Sequence, residues 1–350
     1  MADDQINPGT QGESPVPRRS GWVRWLRGTV AAVCGLYLGV LVAFWAIVSF
    51  GGDHWWVATV LMYGPRRVFA LPLIGLAPAA LLVRGRTLVV MVVSIVVLVG
   101  PVMRLCVPWR RVLMGDHNGL RLRVLSCNIH SGWLKGAAMR DLIAATRPDV
   151  VAFQEWSSRH QEAVFGDGQW FVLRDDELCI GSRYPIRKVV DLLPANTPYG
   201  AATCYELQAP GGKVYVVNLH LMSPHQVLEG VLDRHPEATV QLEANSGVRL
   251  AEAGVVSGYA RGVRGAVLLM GDFNMPEDSA GYRENWSGFM DAYTAGGLGF
   301  GYTYHTRHMR TRIDHVLGVA GWRCRRAWVG PDVGSPHRPV IADLEWRGDL

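Results

Sequence analysis

Residues 268–276 read LLMGDFNMP, and how this stretch is understood decides the fold. Leu268, Leu269 and Met270 have the character of a buried strand, which then meets Gly271, Asp272, Phe273 and Asn274. Side chains alternate between the two faces of a strand. Asp272 and Asn274 are therefore expected to point the same way where the strand leaves its sheet. A carboxylate and an amide aimed together suit a hard cation or a phosphate oxygen. Gly, Asp, Asn and Pro are also turn residues, so the stretch taken alone reads equally well as a strand-ending turn.

The neighbouring segments share this design. LRVLSCN (122–128) alternates like a strand. GAAMRDLIAATRPD then sets Met139, Leu142 and Ile143 at helical spacing before Pro148 stops the helix. VVAFQE (150–155) is a strand ending in Glu155, and CIGSRYPI, KVYVVNLHL, RIDHVLG and PVIADLEW read as further strands. A helix is expected from about Val240 to Tyr259. Many strands with few helices between them predict a layered α+β sandwich of two sheets. The strand ends and nearby turns carry Asn128, Glu155, His220, Asp272 with Asn274, Asp314 and His337. Strands lying side by side would gather these ends into one cluster. Singly, Glu155 reads as a solvated strand end and His220 as a satisfied core histidine; a whole set of such ends is harder to explain that way.

These residues carry a resemblance. In order, LSCNIHSG, PDVVAFQEW, GSRYPI, VVNLHL, LLMGDFNMP, RIDHVL and SPHRPVIADL resemble the motifs of the endonuclease/exonuclease/phosphatase superfamily, over about residues 120–347. The resemblance implies a four-layer α/β sandwich, two packed β-sheets flanked by helices, and divalent-metal hydrolysis of phosphate esters. It implies Glu155 as the principal Mg²⁺ ligand with Asn128 beside it, Mn²⁺ being an alternative ion. Asp272 would orient or deprotonate the attacking water. Asn274 would hold a phosphate oxygen, His220 would donate to the scissile phosphate, and His337 with Asp314 would form the catalytic pair. The family's usual Ser-Asp-His is here Ser335-Pro336-His337, and proline supplies neither carboxylate nor N–H. Arg183 in SRYPI either supports the site or packs. Arg307, Arg310 and Arg312, with His305 and His308, form a basic stretch that reads as a solvated loop or as a contact for an anionic substrate.

Composition adds a second part to the chain. Of 350 residues 19% are charged, yet the mean hydropathy is +0.12, which implies a membrane part joined to a water-soluble one. A net charge of +5 and the lack of an evident DNA-gripping basic helix rank nucleic acid below a membrane lipid as partner. The six cysteines make no close pair and are expected to pack. Residues 1–20 are polar and rich in Pro and Gly, the composition of a disordered segment. The run 28–50 has no charge, and at about 1.5 Å per residue it crosses a bilayer core of roughly 30 Å. It is too long, and its polar leader too long, for a cleaved signal peptide. Shorter apolar runs follow at 68–83 and 87–103.

Three spans are expected, with two and an interfacial segment as the alternative. Arg18, Arg19, Arg24 and Arg27 assign the N-terminus to the cytoplasm, although Arg66, Arg67, Arg104, Arg110 and Arg111 run against the bias. The expected order is a disordered cytoplasmic segment (1–27), a membrane region of about three transmembrane helices (28–103), a linker (104–119) and an extracytoplasmic catalytic domain (120–350). The expected activity is membrane-anchored, Mg²⁺-dependent hydrolysis of a phosphodiester or phosphomonoester on a phospholipid or lipid-linked phosphate. A membrane-tethered nuclease and a catalytically degenerate binding module are the alternatives.

Overall fold

A computed structural model describes residues 21–109, 119–130, 132–166, 168–194, 200–306 and 309–348. The expected disorder of residues 1–20, Arg18 and Arg19 with it, lies outside the described residues, as do Arg110, Arg111, Arg307 and His308. Four helices occupy the first third: α1 (Gly21–Gly51), α2 (Trp56–Tyr63), α3 (Leu73–Val83) and α4 (Arg86–Val97), the last continued by a π turn, Leu98–Val102. Then follow β1 (Arg121–Asn128), α5 (Gly136–Thr146), β2 (Val150–Gln154), α6 (Gln161–Phe165), β3 (Phe171–Asp175), β4 (Leu178–Ser182), β5 (Ile186–Leu193), β6 (Ala201–Ala209) and β7 (Gly212–His220). The rest is α7 (His225–Leu232), α8 (Ala238–Gly262), β8 (Ala266–Asp272), α9 (Ala280–Trp286), β9 (Met290–Asp291), α10 (Ala292–Gly296), β10 (Tyr304–His305), β11 (Arg310–Thr311), β12 (Asp314–Gly318), β13 (Trp322–Val329) and β14 (Val340–Trp346).

The strands build two six-stranded sheets, ordered β13-β14-β1-β2-β4-β3 and β5-β6-β7-β8-β12-β9. Alternation divides their side chains between three cores. Val124, Ala152, Ile180, Val216, Leu268, Met270 and Val316 face each other between the sheets. Leu125, Cys127, Val151 and Phe153 turn outward onto Met139, Leu142 and Ile143 of α5 and Phe165 of α6. Val217, Leu219, Val267 and Leu269 do the same onto Ala253, Val256 and Ala260 of α8 and Trp286 of α9. The result is the expected four-layer sandwich of two packed sheets flanked by helices. Five of the six cysteines are buried, Cys106 is half-buried, and none is disulfide-bonded.

Each sheet is antiparallel except at its centre, where β1 runs parallel to β2 and β7 to β8. The parallel pairs deliver two adjacent C-terminal strand ends apiece to one edge of the sandwich. Gly271 makes the second pair close enough: its φ is +154°, and a Cβ there would lie 1.8 Å from the Leu219 carbonyl oxygen. Only glycine tolerates both conditions.

The first-third helices pack on one another and on this edge. Cys34 of α1, Ala80 of α3 and Met91 of α4 form one buried cluster, so α3 and α4 run alongside α1. Their outward faces stay apolar: Ile74 is 76% and Leu82 82% exposed. Two helical stretches, Gly21–Gly51 and Arg66–Val83, are long and apolar enough to cross a bilayer, and the shorter Arg86–Val102 is also apolar.

Candidate active site

The inner-face rows of the strands end in polar side chains. Row Val124–Ser126 continues to Asn128, row Val216–Asn218 to His220, and row Leu268–Met270 to Asp272. Register sets them abreast: His220 pairs with Asp272 on one side, and Asp314 of β12 pairs with Asp272 on the other. Glu155 breaks the alternation. The residue after β2 would face outward with Phe153, but a left-handed φ of +52° turns it. Such a conformation costs a non-glycine residue about 1–2 kcal/mol, which the surrounding contacts must offset. Asn274 is likewise left-handed, at φ +49°.

The seven predicted residues meet. Asn128 Nδ2 donates to Glu155 Oε1 (3.0 Å) and to Asp272 Oδ2 (3.1 Å), while its Oδ1 accepts from the His130 N–H (2.9 Å). Asp272 Oδ1 accepts from the Asn274 N–H (3.0 Å), and the Asn274 amide donates to the Leu221 carbonyl (2.8 Å). His337 Nδ1 lies 3.0 and 2.9 Å from the two Asp314 carboxylate oxygens. Its Nε2 is 3.8 Å from Asp272 Oδ2, and His220 Nε2 approaches the same oxygen at 3.7 Å. Two imidazoles thus aim Nε2 at one carboxylate. Each has its Nδ1 on another acid, Asp314 for His337 and Glu177 (3.1 Å) for His220. An Nδ1–H held by a carboxylate fixes the tautomer and favours protonation at Nε2.

Electrostatics follow from this packing. Burial, and then the neighbouring Asp314, push the Asp272 carboxyl up to about 6, against the opposing pull of His337 and His220. Burial works against a charged His220, but the Glu177 hydrogen bond and the acids Asp272, Glu177 and Glu155 outweigh it and raise the imidazole to about 9. The same contest, with Asp314 as the main acid, raises His337.

The structure corrects part of the basic set. Arg183 follows β4, whose Ser182 pairs with Val150 at the start of β2, so it sits at the sheet end opposite Glu155. There its guanidinium stacks 3.8 Å over Trp170 and donates to Gln169 Oε1 (3.1 Å). It packs and does not reach the cluster. Arg312 is buried against Glu277 (2.7 Å) and is structural. Arg310 is exposed on the β10–β11 hairpin, whose Tyr304, Met309 and Thr311 line the pocket; Arg307 lies outside the described residues.

Sequence reasoning missed several partners. Glu177 sits in the turn between β3 and β4, with no motif to mark it. Ser335 donates to the Asn128 carbonyl (2.7 Å) and accepts from the His337 N–H (3.1 Å), so the serine beside Pro336 joins the end of β1 to the histidine. Below the site, Gln154 donates to Asn218 Oδ1 (2.6 Å), whose amide donates to the Phe153 and Cys179 carbonyls (both 3.1 Å), a buried polar layer between the sheets. Tyr63, from the helical first third, lines the pocket with the predicted residues.

The sequence profile described as "Endonuclease/Exonuclease/phosphatase family" matches residues 125–337, more than half of the chain. The chain belongs to the endonuclease/exonuclease/phosphatase family. No curated protein sequence matches it. Among solved structures, truncated TDP2 from Caenorhabditis elegans aligns with a TM-score of 0.52 at 17% identity, over 66% of this chain and all (100%) of that one. The endonuclease/exonuclease/phosphatase from Beutenbergia cavernae DSM 12333 gives 0.49 at 20% identity, over 65% and 72%. D. rerio TDP2 complexed with a single-strand DNA product gives 0.47 at 16%, over 64% and 99%. At these identities the likeness is one of fold. Members of the endonuclease/exonuclease/phosphatase family are hydrolases of phosphoesters that depend on a divalent metal.

The donor set of this member fits such an ion. Asp272, Asp314 and His337 bring ligand-type atoms within 4.8 Å of one another. Both oxygens of Asp314 face His337, whereas Glu155 and Asp272 converge on a single Asn128 nitrogen. The Asn128 oxygen accepts one hydrogen bond and keeps a second lone pair. Glu155 and Asn128 supply a carboxylate and an amide oxygen, with the Asp272 carboxylate beside them, and oxygen groups of this kind are the preference of Mg²⁺ and Mn²⁺.

A pH dependence follows. An Asp272 carboxyl raised to about 6 loses its negative charge beside the cation site as pH falls through that value. Raised above the unfolded value, it favours the folded chain while protonated, an advantage lost as pH rises through about 6. A bound cation favours the ionised form instead. Mn²⁺ affinity is expected to level off above that pH, where the neighbouring carboxylate is ionised, and to weaken below it. Titration calorimetry at pH 5, 6 and 7 checks this; affinity flat across the series contradicts it.

Proposed function

We propose that this protein is a membrane-anchored, Mg²⁺-dependent phosphoesterase whose substrate is a phospholipid or lipid-linked phosphate. The observation that carries the reading is the continuous chain of contacts from Asp314 through His337, Asp272 and Asn128 to Glu155. In this reading Glu155 and Asn128 hold the cation, which supplies Lewis-acid charge neutralisation on the phosphoryl oxygens. Asp272 orients the attacking water and takes its proton. His337, held by Asp314, and His220, held by Glu177, donate from Nε2 to phosphoryl oxygens as charge builds there. Asn274 keeps one amide N–H beyond its Leu221 bond for the same purpose. Pro336 leaves these contacts in place, which argues against a degenerate binding module.

Two features support a lipid substrate. The polar floor of the pocket meets an apolar wall of Tyr63, Pro224, Leu228, Met309 and Ile313. Of these, Tyr63, Leu228, Met309 and Ile313 belong to one apolar cluster with Leu41 and Val48 of α1. The purified full chain in detergent, with Mg²⁺ or Mn²⁺, tests the reading against a phospholipid, a polyprenyl phosphate, a soluble phosphomonoester and single-stranded DNA. Preferred turnover of a lipid is expected. Preferred cleavage of DNA makes the protein a tethered nuclease, and no turnover removes the enzyme reading.

The contacts of the first third also support three spans. Segment 53–66 touches the catalytic domain through Asp53 on Arg249 (2.9 Å) and Tyr63 on Asn274 (2.6 Å). Both ends of those contacts lie on one side of any membrane that α1 crosses. In this reading the chain between 66 and 104 crosses an even number of times. Helices α3 and α4 run along α1 with apolar outer faces, which favours two crossings over none. Two spans in all would separate 53–66 from the catalytic domain. A reporter active only in the cytoplasm, fused to the C-terminus, is expected to be silent; a strong signal contradicts the orientation.

A further inference from the structure

The loop after β8 carries Asn274, and it is held from outside the family match. Tyr63, at the end of α2, donates its hydroxyl to the Asn274 carbonyl (2.6 Å). Arg66 forks onto Asp278 at 2.7 and 3.1 Å, and the same guanidinium donates to the carbonyls of Met62 (3.0 Å) and Val102 (3.1 Å). One buried side chain thus ties α2, the π turn that ends α4 and the loop. Arg104, just past that turn, meets Glu277 (3.1 Å), the acid that Arg312 holds from the other side. A backbone pair between Cys106 and Gly299 anchors the strand of chain that carries Arg104.

These contacts have a purpose that packing alone does not require. Asn274 is held in the left-handed region, and its backbone N–H is what Asp272 Oδ1 accepts. A loop carrying such a residue relaxes when its clamps go, and a misplacement of about 1 Å in a catalytic group can cost roughly 10²-fold in rate. The clamps come from both sides of the α3–α4 hairpin, so the pose of the apolar helices is transmitted to the loop.

We propose that Tyr63, Arg66 and Arg104 are positioning residues, through which the apolar N-terminal region holds the 273–279 loop, with Asn274, in its working conformation. This rests on the reading of Asp272 and Asn274 as catalytic. The catalytic domain is then a complete fold with an incomplete active site, and the helices are part of the enzyme as well as its anchor.

The test uses the full chain in nanodiscs with Mn²⁺ and bis(p-nitrophenyl) phosphate as a soluble probe, together with hydrogen exchange of the peptide covering 271–279. Tyr63→Phe removes one hydroxyl. It is expected to lower kcat about tenfold with KM within twofold, as loss of one orienting hydrogen bond predicts, and to speed exchange in that peptide. Arg66→Met is expected to do more, and Arg66→Lys, which keeps the charge and loses the fork, to recover part of the rate. Tyr37→Phe is the control, because that hydroxyl also donates to a backbone carbonyl, of Phe69 (2.7 Å), but away from the loop. It is expected to match the parent. Parental kcat in Tyr63→Phe overturns the proposal, whether or not exchange changes. If Arg66→Met does not fold, Tyr63→Phe still decides. A parent inert toward this diester, and toward the lipid and monoester substrates above, defeats the phosphoesterase reading instead; exchange in the peptide then decides whether the clamp exists, and parental exchange in Tyr63→Phe overturns it.

Discussion

Glu155→Gln is expected to abolish most activity at limiting Mg²⁺, lowering kcat/KM by roughly 10²-fold or more, with the largest part of the loss appearing as a higher Mg²⁺ requirement. A carboxylate oxygen is a far better ligand for a hard cation than an amide oxygen. The several kcal/mol that a bound cation contributes to a phosphoryl transition state correspond to this range. The substitution keeps the side chain's shape, so the left-handed turn and the Asn128 contact are not the cause. The second carboxylate oxygen faces His130 Nδ1 at 3.3 Å, which helps to hold the side chain toward the pocket. Turnover of the variant at saturating and limiting Mg²⁺ measures both parts. Undiminished turnover at limiting Mg²⁺ removes Glu155 from the cation site.

His337→Ala is expected to lower kcat by roughly 10²-fold or more, within the range of a lost acid–base or oxyanion contribution. KM is expected to change less, because an interaction made mainly in the transition state does not hold the ground state. Asp314→Asn is expected to cost a similar amount. An amide in place of the carboxylate no longer enforces the Nδ1–H tautomer, and Nε2 then loses its reason to be protonated. The two act as one unit, so the double variant is expected to fall little below either single one. Pro336→Asp restores the family's usual triplet and is expected to alter metal dependence more than to raise kcat. Ser335 already fixes the His337 backbone from the neighbouring position. A parent inert with every metal, made active by Pro336→Asp, makes the protein a degenerate member.

Much of this was legible in the sequence because strand alternation and register are local rules with global consequences. LLMGDFN announces a buried strand that ends at the candidate site, and the same grammar in LRVLSCN and VVNLHL places Asn128 and His220 on the face that Asp272 shares. The α8 helix, Ala238–Gly262, matches the expected stretch within a few residues. Glu155 reached the site by a route alternation does not give: its left-handed backbone reverses the face on which it projects. Arg183 took the packing alternative for a related reason. Its distance from Glu155 depends on β4 running antiparallel to β2, which the arginine's own surroundings in sequence do not encode. Glu177 and Tyr63 carry no motif, since their roles arise only when distant segments dock. Arg312 reads as one more charge in a basic stretch, and only the buried acids Glu277 and Asp291 around it explain its burial. Its guanidinium helps hold Glu277 down to about 2 despite burial, the opposite of the shift at Asp272. The two buried acids differ because one faces guanidinium groups and the other faces Asp314.

The most direct measurement compares phosphoester turnover by the full chain and by its Asp272→Asn variant, each with Mg²⁺ and after chelation by EDTA. The account predicts that the parent turns over only with the cation restored. It also predicts that Asp272→Asn, which keeps the side chain's size and removes its charge, stays nearly inactive at any Mg²⁺ concentration while remaining folded. Turnover by the parent in EDTA, or parental turnover by Asp272→Asn, would contradict it.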